Sequence, residues 1–274
     1  MARPQQPRLR TGRGSRPHAA RNIVTTLVRS GNGPPLVLLH CLGVDRRLWE
    51  LAAAGLEARF ELISYDFPGH GAAPVPDRPY GVEDLTEALV ALLDREGLAR
   101  VHLAGISLGG LVAQCAAARH PERVDRLVLI DTTPRYTEAM RAGWHERAAT
   151  ARSQGVAAMT ERLLEIWFTA GALAADGEAV RYVRDCFARC DGEGYALACE
   201  ALAAADLRPG LGRIAAPTLV VCGRQDIPSF VDAAYELQAA IADAGLVWLE
   251  PARHASILEQ PQAFRAALAA FLGA

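Results

Sequence analysis

Seven short runs rich in apolar residues, NIVTTLV, PLVLLH, FELISY, ARVHLA, VDRLVLI, APTLVVC and LVWLE, recur between residues 22 and 250 with longer helical patterns between most of them. A strand that is apolar on both faces must be covered on both faces, and strands linked through helices run parallel. The pattern therefore predicts an α/β chain with a mostly parallel, doubly wound sheet. Helices are predicted over 83–96, 109–119 and 261–272, and a chain of 274 residues that is 51% hydrophobic is large enough for one such core with an insertion.

The alternation breaks once. After LVLIDTTP, residues 135–208 hold four patterns with apolar residues at three-to-four spacing and no convincing strand, before APTLVVC resumes the sheet. The expected organisation is a core formed by residues 22–134 and 209–274, with a helical lid over 135–208. The lid brings Trp144, Trp167 and Phe168 toward the core, where aromatic side chains either pack the two parts together or line a pocket.

All 29 basic residues are arginine. Six of them fall within residues 1–21, which contain no acid, and the remaining 23 face 31 acids, so the body of the chain carries a net charge of −8. The leader is rich in Pro, Gly and Arg and has no apolar segment, which fits a disordered basic leader and not a secretory signal. Its basic run lacks interleaved aromatics and amphipathic spacing, so neither a nucleic-acid partner nor a membrane partner is expected. Cys41, Cys115, Cys186, Cys190, Cys199 and Cys222 form no C-x-x-C pair, which points to free thiols in a cytoplasmic protein. No histidine stands at ligand spacing from Cys186, Cys190 and Cys199, so no metal site is expected. No run of about 18 apolar residues suggests a membrane span.

The chemistry is concentrated at Gly105-Ile106-Ser107-Leu108-Gly109-Gly110, between the apolar run ending at Ala104 and the helix that follows. A serine at a sharp strand-to-helix turn, with small neighbours two residues to either side, has its hydroxyl lifted above the carboxyl edge of the sheet. Ser107 is the candidate nucleophile, against the plainer reading of a turn serine. A neutral hydroxyl needs a base. Of the seven histidines, His254 in LEPARHASILEQP lies between the last predicted strand and the final helix and is the candidate; His40 and His70 could line the site, and His120 reads as a surface cap. The imidazole needs a carboxylate. Asp226 in GRQDIPS follows a strand 28 residues before His254, with Asp131 at the end of LVLID as its rival. Asp66 in SYDFPGHG reads as a turn acid. The Leu108 amide, at a helix N-terminus, and the Leu42 amide in the loop after PLVLLH are the expected oxyanion donors.

With these residues placed, the chain from about residue 23 onward resembles the α/β-hydrolase superfamily and, within it, the bacterial 3-oxoadipate (β-ketoadipate) enol-lactonases of aromatic catabolism. The likeness is carried by HCLGVDRRLWE, YDFPGHGAAPVP, GISLGGLVAQ, ARHPERVDRLVLIDT, Trp144, IWFT at 166–169, DLRPGLGRIAAPTLVVCG and RHASILEQPQAF. Cys41 in place of a glycine, Phe67-Pro68 and Arg253 depart from the pattern. The resemblance implies ring opening of a small carboxylate-bearing enol lactone through an acyl-enzyme on Ser107, with no metal and no organic cofactor. It also implies a cation for the substrate carboxylate. Arg135, Arg141, Arg147 and Arg162 in the lid are open for that role; Trp144, Trp167 and Arg147 are the expected substrate contacts. Another small-ester or lactone esterase, a C–C bond hydrolase, and a non-catalytic ligand receptor are the competing readings.

Overall fold

The computed structural model describes residues 27–273. The basic leader 1–21 and most of the NIVTTLV run lie outside them. In chain order the elements are β1 (Leu27–Ser30), β2 (Pro35–Leu39), α1 (Leu48–Ala52), β3 (Glu61–Tyr65), α2 (Val82–Arg95), β4 (Val101–Ile106), α3 (Leu108–Arg119), β5 (Val124–Ile130), α4 (Glu138–Gln154), α5 (Thr160–Trp167), α6 (Ala170–Ala175), α7 (Glu178–Arg189), α8 (Gly192–Ala204), α9 (Arg208–Leu211), β6 (Thr218–Gly223), α10 (Pro228–Ala240), β7 (Ala244–Leu249), α11 (Ser256–Glu259) and α12 (Pro261–Leu272).

The strands form one sheet in the order β1-β3-β2-β4-β5-β6-β7. Only β1 runs against its neighbour, pairing Leu27 with Tyr65 and Ser30 with Leu62 on β3. All six residues of each of the interior strands β4 and β6 are buried, as the unbroken apolar runs require. Helix α2 shows how the covering layer is specified. Val82, Leu85, Leu89, Leu92 and Leu93 recur on one face and are buried, and the Asp84 carboxylate accepts the Gly81 N–H at 2.9 Å where the helix begins.

The chain winds from β2 outward to β3, then crosses back over β2 to β4 and proceeds in the opposite direction. The strand order therefore reverses between β2 and β4, and a crevice opens there beyond their carboxyl ends. The loop after β2 carries Leu42, and the turn after β4 carries Ser107, so both stand at that crevice.

Between β5 and β6 the chain makes its helical excursion, α4 to α9. Three of its four helical stretches fall where the periodicity predicts them. The fourth differs: the pattern across 157–171 reads as a single helix but starts in a 3-10 turn and breaks at Phe168, which is extended at φ −121° and ψ 150°. The break has tertiary causes. The Trp167 carbonyl accepts the Ala255 N–H at 2.8 Å, the Glu259 carboxylate accepts the Thr169 N–H at 2.9 Å, and Thr169 then caps α6 by accepting the Ala172 N–H. Backbone groups that a continuous helix would keep for itself are drawn to the segment around residue 254.

Candidate active site

β4 ends at Ile106 and α3 begins at Leu108, so Ser107 turns the chain within one residue. It does so at φ 52° and ψ −111°, a backbone state that costs an L-residue about 1–3 kcal/mol and survives only where its surroundings impose it. Here the Ser107 N–H donates to the Ile130 carbonyl at 2.9 Å, and the Ser107 carbonyl accepts the Thr132 hydroxyl at 2.9 Å. The neighbours must lack side chains: a Cβ on Gly105 would lie 2.2 Å from the Gly109 carbonyl oxygen, and one on Gly109 would lie 2.3 Å from that of Leu39. The spacing G-x-S-x-G is thus a packing requirement of the bend.

The His254 ring stands between the other two residues. Its Nδ1 lies 2.8 Å from Asp226 Oδ2 and its Nε2 lies 3.3 Å from Ser107 Oγ. All three are buried, with 5%, 6% and 8% of Ser107, Asp226 and His254 exposed. The second Asp226 oxygen accepts the Ile227 N–H at 2.7 Å, which leaves the first to hold the Nδ1–H tautomer and a free lone pair on Nε2. Phe230 and Trp167 pack edge-on to the imidazole at 4.6 and 5.9 Å between centroids. Burial opposes charge on His254, but the Asp226 carboxylate, by charge and hydrogen bond, and the Asp131 carboxylate more than offset it, so the imidazole pKa is raised. An imidazole held this way can take a proton from the serine and keep it beside a counter-charge.

Asp131, the rival acid, does not touch the imidazole ring. One of its oxygens accepts the Gly223 N–H at 2.8 Å, and the other accepts the Ser256 N–H at 3.2 Å and the Ser256 hydroxyl at 2.6 Å. It therefore ties the end of β5 to the end of β6 and to the residue two positions after His254. Burial and the nearby Asp226 push the Asp131 carboxyl up to about 7.

Ser107 and His254 open into a cavity of about 140 Å³ whose other walls include Leu42, Trp144, Arg147, Trp167, Tyr195 and Phe230. Three larger depressions, of about 350, 590 and 300 Å³, are shallower grooves that reach neither residue. The expected contacts Trp144, Trp167 and Arg147 are brought together on this wall, whereas Phe168 faces the groove of about 590 Å³ instead. Of the four open arginines, only Arg147 reaches the cavity. Arg141 donates to the Tyr136 carbonyl, Arg162 is exposed, and Arg135 pairs its backbone with Asp206. The Arg147 guanidinium lies 4.7 Å from the centroid of the Trp144 ring, and its charge acts on the Tyr195 hydroxyl. Among the described residues no carboxylate pairs with it. The sequence reading did not single out Tyr195 or Phe230, because apolar residues on α8 and α10 carry no mark that separates a pocket wall from a core.

His40 and His70 do not line this cavity. His40 is buried behind it, with Nδ1 at 2.8 Å from the Cys41 carbonyl and Nε2 accepting the Phe67 N–H at 2.8 Å; His70 Nδ1 faces the Pro68 carbonyl. Asp66 accepts the Arg46 and Ala72 N–H groups, and His120 meets Glu87. Cys41 is fully buried, and burial pushes its thiol well above the ordinary range, which keeps it a packed neutral side chain at pH 7. All six cysteines are free. Donor atoms of Asp131, Cys222 and Asp226 lie within 4.8 Å of one another, but each carboxylate oxygen involved already accepts hydrogen bonds from Gly223, Ser256, Ile227 or His254.

Among the described residues no helix is long and apolar enough to cross a membrane. The sequence model of the alpha/beta hydrolase family matches residues 36–267. The chain is similar to 3-oxoadipate enol-lactonase 2 of Acinetobacter baylyi, 36% identical over 239 residues that cover 87% of this chain and 88% of that one. It is also similar to the pimeloyl-[acyl-carrier protein] methyl ester esterase of Chromobacterium violaceum, at 31% identity over 88% and 95% of the two chains. The crystal structure of the enol-lactonase from Burkholderia xenovorans LB400 superposes with a TM-score of 0.88 at 36% identity, covering 94% of this chain and all of that one. With the sheet order, the serine bend and these matches in agreement, this chain belongs to the alpha/beta hydrolase family and is a hydrolase.

Proposed function

We propose that the chain is a carboxylic ester hydrolase that opens a small carboxylate-bearing enol lactone, 3-oxoadipate enol-lactone, to 3-oxoadipate in bacterial aromatic catabolism. One observation supports this reading above the rest: the cavity that holds Ser107 and His254 is small and largely apolar, and its wall carries a guanidinium, Arg147, without a protein carboxylate. A bound anion is the natural partner for such a group.

In this reading Ser107 Oγ attacks the lactone carbonyl while His254 Nε2 takes its proton and Asp226 steadies the imidazolium. The Leu108 and Leu42 amides hold the oxyanion. The ring opens by loss of the enol oxygen, which receives the proton from His254 and relaxes to the ketone. Water activated by the same imidazole then releases Ser107. The helices α4 to α9 act as a lid that keeps bulk water from the acyl-enzyme. Six free thiols suit a reducing, cytoplasmic setting.

Turnover of the enol lactone, followed by decay of its absorbance, tests the reading. Brisk hydrolysis of simple esters with no turnover of the lactone would replace it with a small-ester esterase, a reading that the similarity to a methyl ester esterase favours. Arg147→Met is expected to lower kcat/KM for a half-ester bearing a free carboxylate, relative to its uncharged analogue, by about tenfold or more, mainly through KM. An unchanged ratio would remove Arg147 from substrate binding.

The raised His254 pKa fixes a pH dependence. The base acts only when neutral, so kcat/KM should fall as pH drops through a midpoint above 6.5, the ordinary imidazole value. A pH–rate profile with its acid limb below 6.5 would contradict the Asp226 contact as its cause.

A further inference from the structure

We propose that Glu259 is a positioning residue for His254, clasping the peptide on the amino side of the imidazole to the break between α5 and α6, so that the base is seated by the helical cover above it. The proposal rests on the reading of His254 as the general base.

The geometry that carries it lies on both sides of the ring. On one side, Arg253 N–H donates to Glu259 Oε2 at 2.7 Å. The other oxygen of the same carboxylate accepts the Thr169 N–H at 2.9 Å and the Thr169 hydroxyl at 2.6 Å. On the other side, Ala255 N–H donates to the Trp167 carbonyl at 2.8 Å. The residue after His254 is thus bound directly to the segment 167–169, and the residue before it is tied there through Glu259; the same segment supplies Trp167 to the cavity wall and to the edge of the imidazole. The Thr169 hydroxyl accepts the Ala172 N–H and gives its one proton to Glu259.

Glu259 has no ion-pair partner among the described residues, and all three of its contacts are donors. A carboxylate with lone pairs on both oxygens meets that demand; a glutamine does not. Its single carbonyl oxygen can face either Thr169 or Arg253, and its NH2 group then opposes an N–H on the remaining side. Glu259→Gln therefore unfastens one half of the clasp while keeping size and shape.

The test compares Glu259→Gln, Thr169→Val, Thr169→Ser and His254→Ala with the parent chain, using p-nitrophenyl acetate as substrate and thermal melting as the check on folding. Glu259→Gln should lower kcat by about tenfold or more with KM within about threefold, the signature of a misplaced catalytic group. It should also move the acid limb of kcat/KM toward 6.5, because a loosened imidazole loses contact with Asp226. Thr169→Val should show part of both effects and Thr169→Ser should restore the parent values. If Glu259→Gln does not fold, the Thr169 pair decides. Parent-like kcat and acid limb in folded Glu259→Gln and Thr169→Val, with His254→Ala inactive, would overturn the clasp alone. Activity surviving in His254→Ala would overturn the base assignment and the clasp with it.

Discussion

Ser107→Ala is expected to lower kcat for every ester and lactone substrate by about a thousandfold or more, leaving only what substrate binding and the proposed oxyanion donors contribute. The substitution removes one oxygen and nothing else. Alanine keeps the Cβ, so the backbone at φ 52° is no more and no less strained than before, and the lost hydrogen bond to His254 is a long one at 3.3 Å. The backbone anchors to Ile130 and Thr132 use the amide and carbonyl of residue 107, which alanine retains. Melting temperature should therefore stay within a few degrees while hydrolysis disappears. A variant that melts normally and still hydrolyses p-nitrophenyl acetate at a tenth of the parent rate would place the nucleophile elsewhere. A variant that no longer folds would mean that the bend depends on the hydroxyl, contrary to its contacts.

The sheet was legible because its strands are uniform along their length: VHLAGI and TLVVCG are buried at every position, and such runs have one home, the middle of a covered sheet. The antiparallel β1 was not legible as such, because its direction is set by which strand it pairs with, here β3, and leaves no mark in LVRS. Ser107 could be read because its neighbours are constrained by backbone approach, and glycine is a visible answer to that constraint. His254 and Asp226 were placed from their positions after predicted strands, and the structure brings His254 within reach of both Asp226 and Ser107. What stayed hidden were the residues whose work is relational. Phe168 ends a helix that its own sequence would continue, since the competing partners, Ala255 and Glu259, lie some 90 residues away. Glu259 in ILEQP looks like any polar residue near a helix end. Tyr195 and Phe230 are aromatic positions among the buried residues of their helices, and periodicity alone assigns them to the core.

The two buried carboxyls beside the imidazole should separate cleanly on mutation. Asp226→Asn keeps the side-chain shape but presents either a carbonyl that favours the same tautomer without charge or an NH2 that forces the proton onto Nε2, where it blocks abstraction from Ser107. In both cases the imidazolium formed during attack lacks the carboxylate charge that stands 2.8 Å from Nδ1 in the parent. A loss in kcat of about 10³ to 10⁴ is expected, together with a downward move of the acid limb, because Asp226 is the leading influence that raises the His254 pKa against burial. Asp131→Asn changes different contacts. Its side chain receives donors from Gly223 and Ser256 and none from the ring, and its carboxyl, pushed up to about 7, is already partly protonated near neutrality. Removing that charge should cost less than about tenfold in kcat, because the pair keeps the one carboxylate that faces Nδ1. It should also lower the acid limb slightly, since Asp131 adds to the field that favours the imidazolium. The reverse ranking, with Asp131→Asn nearly inactive and Asp226→Asn close to the parent, would reassign the acid to the end of β5 and require the imidazole to turn toward it during catalysis.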